Sequence, residues 1–165
     1  MFIAITGPTG SGKSSVAYEI TQNLDRAVLI DVDTVKHFIM RGFIYDKTSE
    51  GLEQWLLLGD NLNFLVKTYL EKGYIVLLEG FLPIDAWKRV FDNLQPNHKF
   101  LLLPENNVVI DRDISRGKEK VMGSDSVLKH HDMFTTEQFF NDFTNIDSSN
   151  GTVKETASIL LSYLK

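Results

Sequence analysis

Phe2-Ile3-Ala4-Ile5-Thr6, followed without a break by Gly7-Pro8-Thr9-Gly10-Ser11-Gly12-Lys13-Ser14, is the stretch on which the architecture turns. A short apolar run, a glycine-rich turn and a helical pattern over residues 14–23 predict a buried strand, a tight loop and a helix. The eight loop residues match G-x-x-x-x-G-K-[ST] throughout, in the strand, loop and helix context that gives this pattern its meaning. Glycines let the backbone turn its N–H groups inward, and the helix start behind them adds positive potential, so the loop suits phosphate oxygens. The expected ligand is the triphosphate of a purine nucleotide, ATP with Mg²⁺. Gly7, Pro8, Thr9, Gly10, Ser11, Gly12, Lys13, Ser14 and Ser15 would surround it, Lys13 on the β- and γ-phosphates and the Ser14 hydroxyl on the metal.

Outward from the loop, short apolar runs at 27–30, 74–78, 99–103 and 143–146 read as further strands. Between them lie helical patterns at 52–70, 85–93, 105–120, 126–134 and 137–140, with a closing helix at 152–164. Another helix is expected from Thr34, with Val35, Phe38 and Ile39 in phase and Gly42 ending it, before a polar loop at 42–51. Leu56, Leu57, Asn61, Phe64, Leu65 and Thr68 mark the expected buried side of the long helix. Val153, Ala157, Leu160, Leu161 and Leu164 mark that of the last. Strands alternating with helices predict a parallel sheet covered on both faces, within a single domain over residues 1–165. Ligands of such sheets sit beyond the carboxyl ends of the strands, a rim that would carry the phosphate loop, Asp31, Asp33 and Glu79.

Asp31 and Asp33 flank one residue at a strand end, and strand alternation places i and i+2 on one side. Such a pair suits holding Mg²⁺ through water and orienting an acceptor hydroxyl; Asp33 is assigned to the acceptor and Asp31 to the metal. The competing reading has Asp33 capping the helix that starts at Thr34. Glu79 ends the most apolar strand, where it would hold the metal's water shell or touch the acceptor, and Gly80 beside it permits close approach of a ligand. Arg112 and Arg116 are four apart and share a helix face, placed to neutralise charge on a transferred phosphoryl group. Gly117 and Gly123 bracket Lys118 and Lys120, which suggests a hinged lid over about 112–135. The alternative is a solvated basic face paired with Asp111, Asp113 and Glu119. Arg41 is a candidate contact to an anionic acceptor. His130 and His131 are either lid-adjacent or simply packed.

Composition narrows the field. A net charge of -5 without an obvious Lys/Arg stripe disfavours a nucleic-acid duplex as partner. No stretch approaches the roughly 18 to 20 apolar residues of a membrane span. The direct passage from Met1 into Phe2 to Ile5 reads as a first strand rather than a signal peptide. There is no cysteine, and His37, His98, His130 and His131 lack the i,i+4 spacing of a zinc site on a helix. A cytoplasmic protein, monomer or homodimer, is expected.

In their order of occurrence, the loop at 7–14, Asp31-Val32-Asp33, Glu79-Gly80, Arg112-Asp113-Ile114-Ser115-Arg116-Gly117 and Ile146-Asp147-Ser148-Ser149 resemble the small P-loop kinases. The resemblance is greatest to the chloramphenicol phosphotransferase-like and zeta-toxin-like group, with shikimate and gluconate kinases as wider relatives. It implies a three-layer α/β/α P-loop NTPase fold, a five-stranded parallel sheet of order 2-3-1-4-5 and a helical lid. It also implies acceptor binding at Asp33, phosphate contacts from Arg112 and Arg116, and an adenine-flanking loop at Asp147, Ser148 and Ser149. Glu79-Gly80-Phe81-Leu82-Pro83 stands where shikimate kinases carry a glycine-rich substrate segment, so shikimate is not the expected acceptor. The guanine-recognition pattern N-K-x-D is absent, as is D-x-x-G after a middle strand, which favours ATP over GTP. The implied activity is transfer of the γ-phosphoryl group to a small-molecule hydroxyl, with an acceptor pocket at 35–46 and 80–87. Alternatives are a nucleoside or nucleotide kinase, for which Phe43, Tyr45 or Trp87 would stack a base, a toxin-like kinase of nucleotide-activated amino sugars, and a non-catalytic ATP-binding regulator.

Overall fold

The runs Phe2-Ile3-Ala4-Ile5, Ala27-Val28-Leu29-Ile30 and Ile75-Val76-Leu77-Leu78 are apolar at every position, so a sheet built from them must be covered on two faces. The structure, a computed structural model, describes residues 1–115 and 122–164. Strands β1 (Phe2–Thr6), β2 (Ala27–Asp31), β3 (Ile75–Glu79), β4 (His98–Leu102) and β5 (Thr144–Ile146) form one parallel sheet in the order β2-β3-β1-β4-β5, as expected. Alternation along the strands sorts the core. Phe2, Ala4, Val76 and Leu78 point to one face, under helices α3 (Ser49–Glu71) and α4 (Ile84–Val90). Ile3, Ile5 and Leu77 point to the other, under α1 (Lys13–Thr21) and α7 (Val153–Ser162). Helices α5 (Asn106–Ser115) and α6 (Ser124–Thr136) and a 3₁₀ turn at Gln138–Asp142 close the β4–β5 side. Among the described residues no helix is long and apolar enough to cross a membrane.

Three elements differ from the sequence reading. The buried side of α3 is Gly51, Trp55, Leu58, Gly59, Leu62 and Val66, while Leu57 and Phe64 are exposed. The phase is set by contact with α4: a Cβ on Gly59 would meet the Ala86 carbonyl at 2.8 Å, and Asn63 Nδ2 donates to the carbonyls of Val90 (2.7 Å) and Asp92 (2.9 Å) at the end of that helix. Helix α2 (Val32–Lys36) starts before Thr34 and stops long before Gly42. Asp31 caps it, Oδ1 accepting from the Asp33 N–H (2.8 Å) and Oδ2 from the Thr34 hydroxyl (2.9 Å). Its ladder then tightens to i→i−3 bonds from Phe38 and Ile39, leaving Phe38 and Met40 exposed. On α7 Val153 is exposed and Thr156 is buried in its place, because a Thr152/Glu155 capping box sets the helix start.

Candidate functional site

The loop between β1 and α1 is folded by glycine. Gly10 and Gly12 have φ of +83° and +85°, and a Cβ at Gly7 would lie 2.3 Å from the Leu102 carbonyl oxygen. Gly12 is the N-cap of α1 and has no side chain to cap it, so the first N–H groups of the helix are left for a ligand or water. The loop thus presents uncapped donors, the Lys13 ammonium and the exposed Ser14 and Ser15 hydroxyls at one place. Lys13 Nζ lies 3.4 Å from the Pro8 carbonyl.

Arg112 and residues 147–149 close the far side of this loop. The Arg112 guanidinium donates to the carbonyls of Ser148 (2.9 Å), Ser149 (3.3 Å) and Gly10 (3.4 Å). The buried Ser148 hydroxyl donates to the Ser11 carbonyl at 2.9 Å. Asp147 Oδ1 accepts from the Ser149 hydroxyl and N–H, and these bonds hold its carboxyl below the usual range. Arg112 with Gly10, Gly12, Lys13, Ser14 and Ser15 lines a cavity of about 240 Å³. Asp113 is not part of a solvated acid-base face: it is 1% exposed, and Oδ2 accepts from the N–H groups of Met122 (2.9 Å) and Gly123 (3.2 Å). Arg116, Gly117, Lys118, Glu119 and Lys120 lie outside the described residues. Replacing Arg112 by Ala should lower stability by about 2 kcal/mol in urea titration, since three carbonyls lose a charged donor. Lys at this position should restore under half, because an ammonium cannot span the same fork.

On the opposite side of Lys13 and Ser14 lies a second cavity of about 640 Å³, within the range of ligand pockets. Thr9, Lys13, Ser14, Asp33 and Glu79 form its polar end. Glu79 is 2% exposed, and its Oε2 finds no hydrogen-bond partner among the described residues. Burial is the main force raising its carboxyl to about 7; Asp31 and Asp33 add to the rise, while Lys13 and the Ser14 hydroxyl oppose it. Asp31 and Glu79 are register partners at the ends of β2 and β3. Asp33 stands in the first turn of α2, not on the strand, with its side chain 62% exposed and ion-paired to Lys36. It does not cap the helix; Asp31 does, with both its oxygens.

Three residues considered for ligand contact have other surroundings. The space beside Gly80 belongs to Val32, whose Cβ lies 2.5 Å from where a Gly80 Cβ would be, and the Gly80 carbonyl accepts from the Thr6 hydroxyl. Arg41 is exposed and lies outside the cavity lining. Trp87 is fully buried in the core, so it stacks on no ligand. His131 is packed, with Nε2 2.9 Å from the Pro104 carbonyl.

Lys36 and Phe81, from the expected acceptor segments at 35–46 and 80–87, line the rest of the large cavity with Met122, Ser126, Lys129 and Met133 of the expected lid segment, and with Trp55, which the sequence reading did not place there. Tyr45 lines it as well, as does His130, edge-on to Phe81 at 4.3 Å between ring centroids. Burial, then the nearby Lys13 charge, lowers His130 to about 4, so its ring is neutral at neutral pH. Among the described residues no cluster of three or more His, Cys, Asp or Glu is arranged as a metal site.

No protein-family model matches the sequence, and no curated protein matches it significantly. Solved structures do match in fold. The tunicamycin resistance protein of Deinococcus radiodurans superposes with a TM-score of 0.73 at 19% identity, covering 99% of this chain and 94% of that one. Shikimate kinase from Acinetobacter baumannii, in complex with shikimate, gives 0.69 at 17% identity over 99% and 92%. Deoxyadenosine kinase from M. mycoides gives 0.61 at 16% identity over 99% and 98%. The described residues therefore share the α/β fold of these three proteins, shikimate kinase and deoxyadenosine kinase among them.

Proposed function

We propose that the protein is an ATP-dependent phosphotransferase that moves the γ-phosphoryl group to a hydroxyl of a small molecule. The observation that carries this reading is the meeting of two cavities at Lys13 and Ser14, one lined by the phosphate loop and Arg112, the other by Asp33 and Glu79. A nucleotide switch or simple hydrolase requires only the first. Phosphoryl transfer requires two bound reactants in line on either side of the transferred group.

The residues present fit ATP and Mg²⁺. Glycine-folded backbone and an uncapped helix start suit the phosphates, and residues 147–149 with Arg112 flank the same loop. Ser14 would hold the metal, with the Asp31 and Glu79 carboxylates on adjacent strand ends available to its water shell. Held there, the ion would supply positive charge against the triphosphate. Asp33, fixed by Lys36, orients the acceptor hydroxyl. The acceptor oxygen bonds to the γ-phosphorus as the bond to the bridging oxygen breaks, ADP leaves, and the hydroxyl proton passes to a carboxylate of the polar end. Lys13 and Arg112 stabilise the charge on the group in transit. Met122, Ser126, Lys129, His130 and Met133 form one wall of the acceptor cavity, and we assign to the lid expected over about 112–135 the exclusion of water. Dependence on ATP and Mg²⁺ as reactants fits a cytoplasmic location.

The test is ADP release by the purified protein with Mg-ATP across alcohols of several classes. The expected result is acceptor-dependent release that falls at least about tenfold in Asp33→Ala while nucleotide affinity changes little. ATP binding with no acceptor stimulation, or an Asp33→Ala protein as active as the parent, would overturn the assignment.

A further inference from the structure

The wall of the 640 Å³ cavity away from the phosphate loop carries the chemistry of its occupant. Tyr45, Trp55 and Phe81 line it, and Met133 adds a thioether, whereas Met122, whose sulfur accepts from the Thr9 hydroxyl at 3.1 Å, belongs to the phosphate-loop side. These rings are set at steep angles to one another: Tyr45 to Trp55 at 72° and Trp55 to Phe81 at 82°. Phe43 supports them from behind, packing edge-on to Trp55 at 5.0 Å between centroids. Lys36 sits against this cluster, its ammonium 5.4 Å from the Tyr45 ring centroid and 6.0 Å from that of Trp55. Its charge is already met by Asp33.

Tyr45 is the informative residue. Burial accounts for Trp55, which is 7% exposed, but Tyr45 is 65% exposed and its ring still stands on the cavity lining. An aromatic ring facing a cavity beside other rings and the polarisable Met133 thioether presents a surface for a flat partner, which gains stacking and S–aromatic contacts that a compact polyol cannot make. The buried Lys36 ammonium beside these rings is neutralised by its own carboxylate, so this part of the wall offers ring contact rather than an anion clamp.

We infer that the phosphoryl acceptor is an alcohol whose body is a planar aromatic or heteroaromatic ring, seated on Tyr45, Trp55 and Phe81 with its hydroxyl toward Asp33 and Lys13. This rests on the phosphotransferase reading above and narrows its substrate class. Tyr45 and Trp55 are then specificity determinants: they hold the ring and leave the chemistry to the polar end.

Binding is measurable apart from turnover, because Trp55 lines the cavity while Trp87 is sealed in the core. Thymidine and 2-phenyl-1,3-propanediol serve as ring alcohols, glucose and gluconate as ringless or non-planar ones, each titrated against tryptophan emission and tested for ADP release with Mg-ATP. A ring alcohol is expected to quench emission saturably and to stimulate ADP release. Tyr45→Ala should raise its KM about tenfold at nearly constant kcat, with recovery in Tyr45→Phe. Trp55→Phe should remove the quenching while keeping the KM within about threefold. Stimulation by glucose or gluconate alone, with a KM indifferent to Tyr45→Ala, overturns the inference and leaves the phosphotransferase reading standing. Saturable quenching by ring alcohols that never stimulate ADP release also overturns the inference, since the ring site then holds no acceptor, and leaves the phosphotransferase reading to its own test. Quenching by neither ring alcohol overturns the inference whatever the kinetics.

Discussion

Replacing Lys13 by alanine should leave the protein folded and lower phosphoryl-transfer turnover by about a thousandfold, the scale expected for removing a preorganised charge from developing phosphoryl charge. Folding is expected to survive because Lys13 is only half-buried and stands at the start of α1, outside both core clusters. The loss should be kinetic because Lys13 lies where the two cavities meet, on the path between donor and acceptor. Arginine should not rescue it, since a planar fork does not fit where a compact ammonium stands. An independent readout tests placement. The Lys13 charge helps burial to hold His130 near 4 and counters the burial that raises Glu79. In Lys13→Ala the His130 ring should therefore titrate at higher pH, visible in its proton NMR signals, and Glu79 should also move up. Turnover within tenfold of the parent would show that Lys13 does not face the reacting phosphate.

How much of this was legible beforehand depends on whether the decisive residues are neighbours in sequence. The phosphate loop is contiguous, and its glycines, lysine and serine sit where a strand meets a helix, so its geometry could be read directly from residues 7–14. The strands were legible for a similar reason: coverage on both faces demands continuous apolar runs, and Ile75 to Leu78 is one. The face of α3 was not, because that helix carries leucines at 56, 57 and 58, and only packing against α4 decides that Leu58 turns inward and Leu57 outward. Asp31 stands at the end of β2 as expected, but it also caps α2, so Asp33 falls in the first turn of that helix and strand alternation does not reach it. The ring-lined wall draws on positions 45, 55, 81, 130 and 133, which come together only through the tertiary fold; Tyr45 is a stacking candidate by type, whereas Trp55 reads as helix packing in isolation. Trp87, an obvious stacking candidate by type, is core.

Glu79→Gln should make the protein more stable and much less active, a combination that a merely structural carboxylate would not show. Burial, chiefly, raises this carboxyl from 4.5 to about 7 in the folded protein. A group whose folded pKa lies above its unfolded value binds its proton more tightly in the native state. Ionisation therefore opposes folding, and stability falls as pH rises from about 4.5 through about 7. For Glu79, 2% exposed, the loss by pH 8 is at most about 3 kcal/mol. Glutamine keeps the shape, carries no charge and titrates nowhere in this window. In metal-free, nucleotide-free protein, urea titrations should show parent and variant about equal near pH 4 and the variant ahead by about 1 to 3 kcal/mol at pH 8. Turnover should move the other way, falling about a hundredfold, because the unpartnered Oε2 at the junction of the two cavities is the group the amide cannot replace as a base or as a metal-shell acceptor. Equal stability at both pH values would mean that Glu79 is ionised at little cost and already satisfied in the free protein. A stability gain with turnover unchanged would assign the strain to packing alone. Only the opposed pair of effects marks a carboxylate held at a cost in folding free energy for the sake of the chemistry beside Lys13 and Ser14.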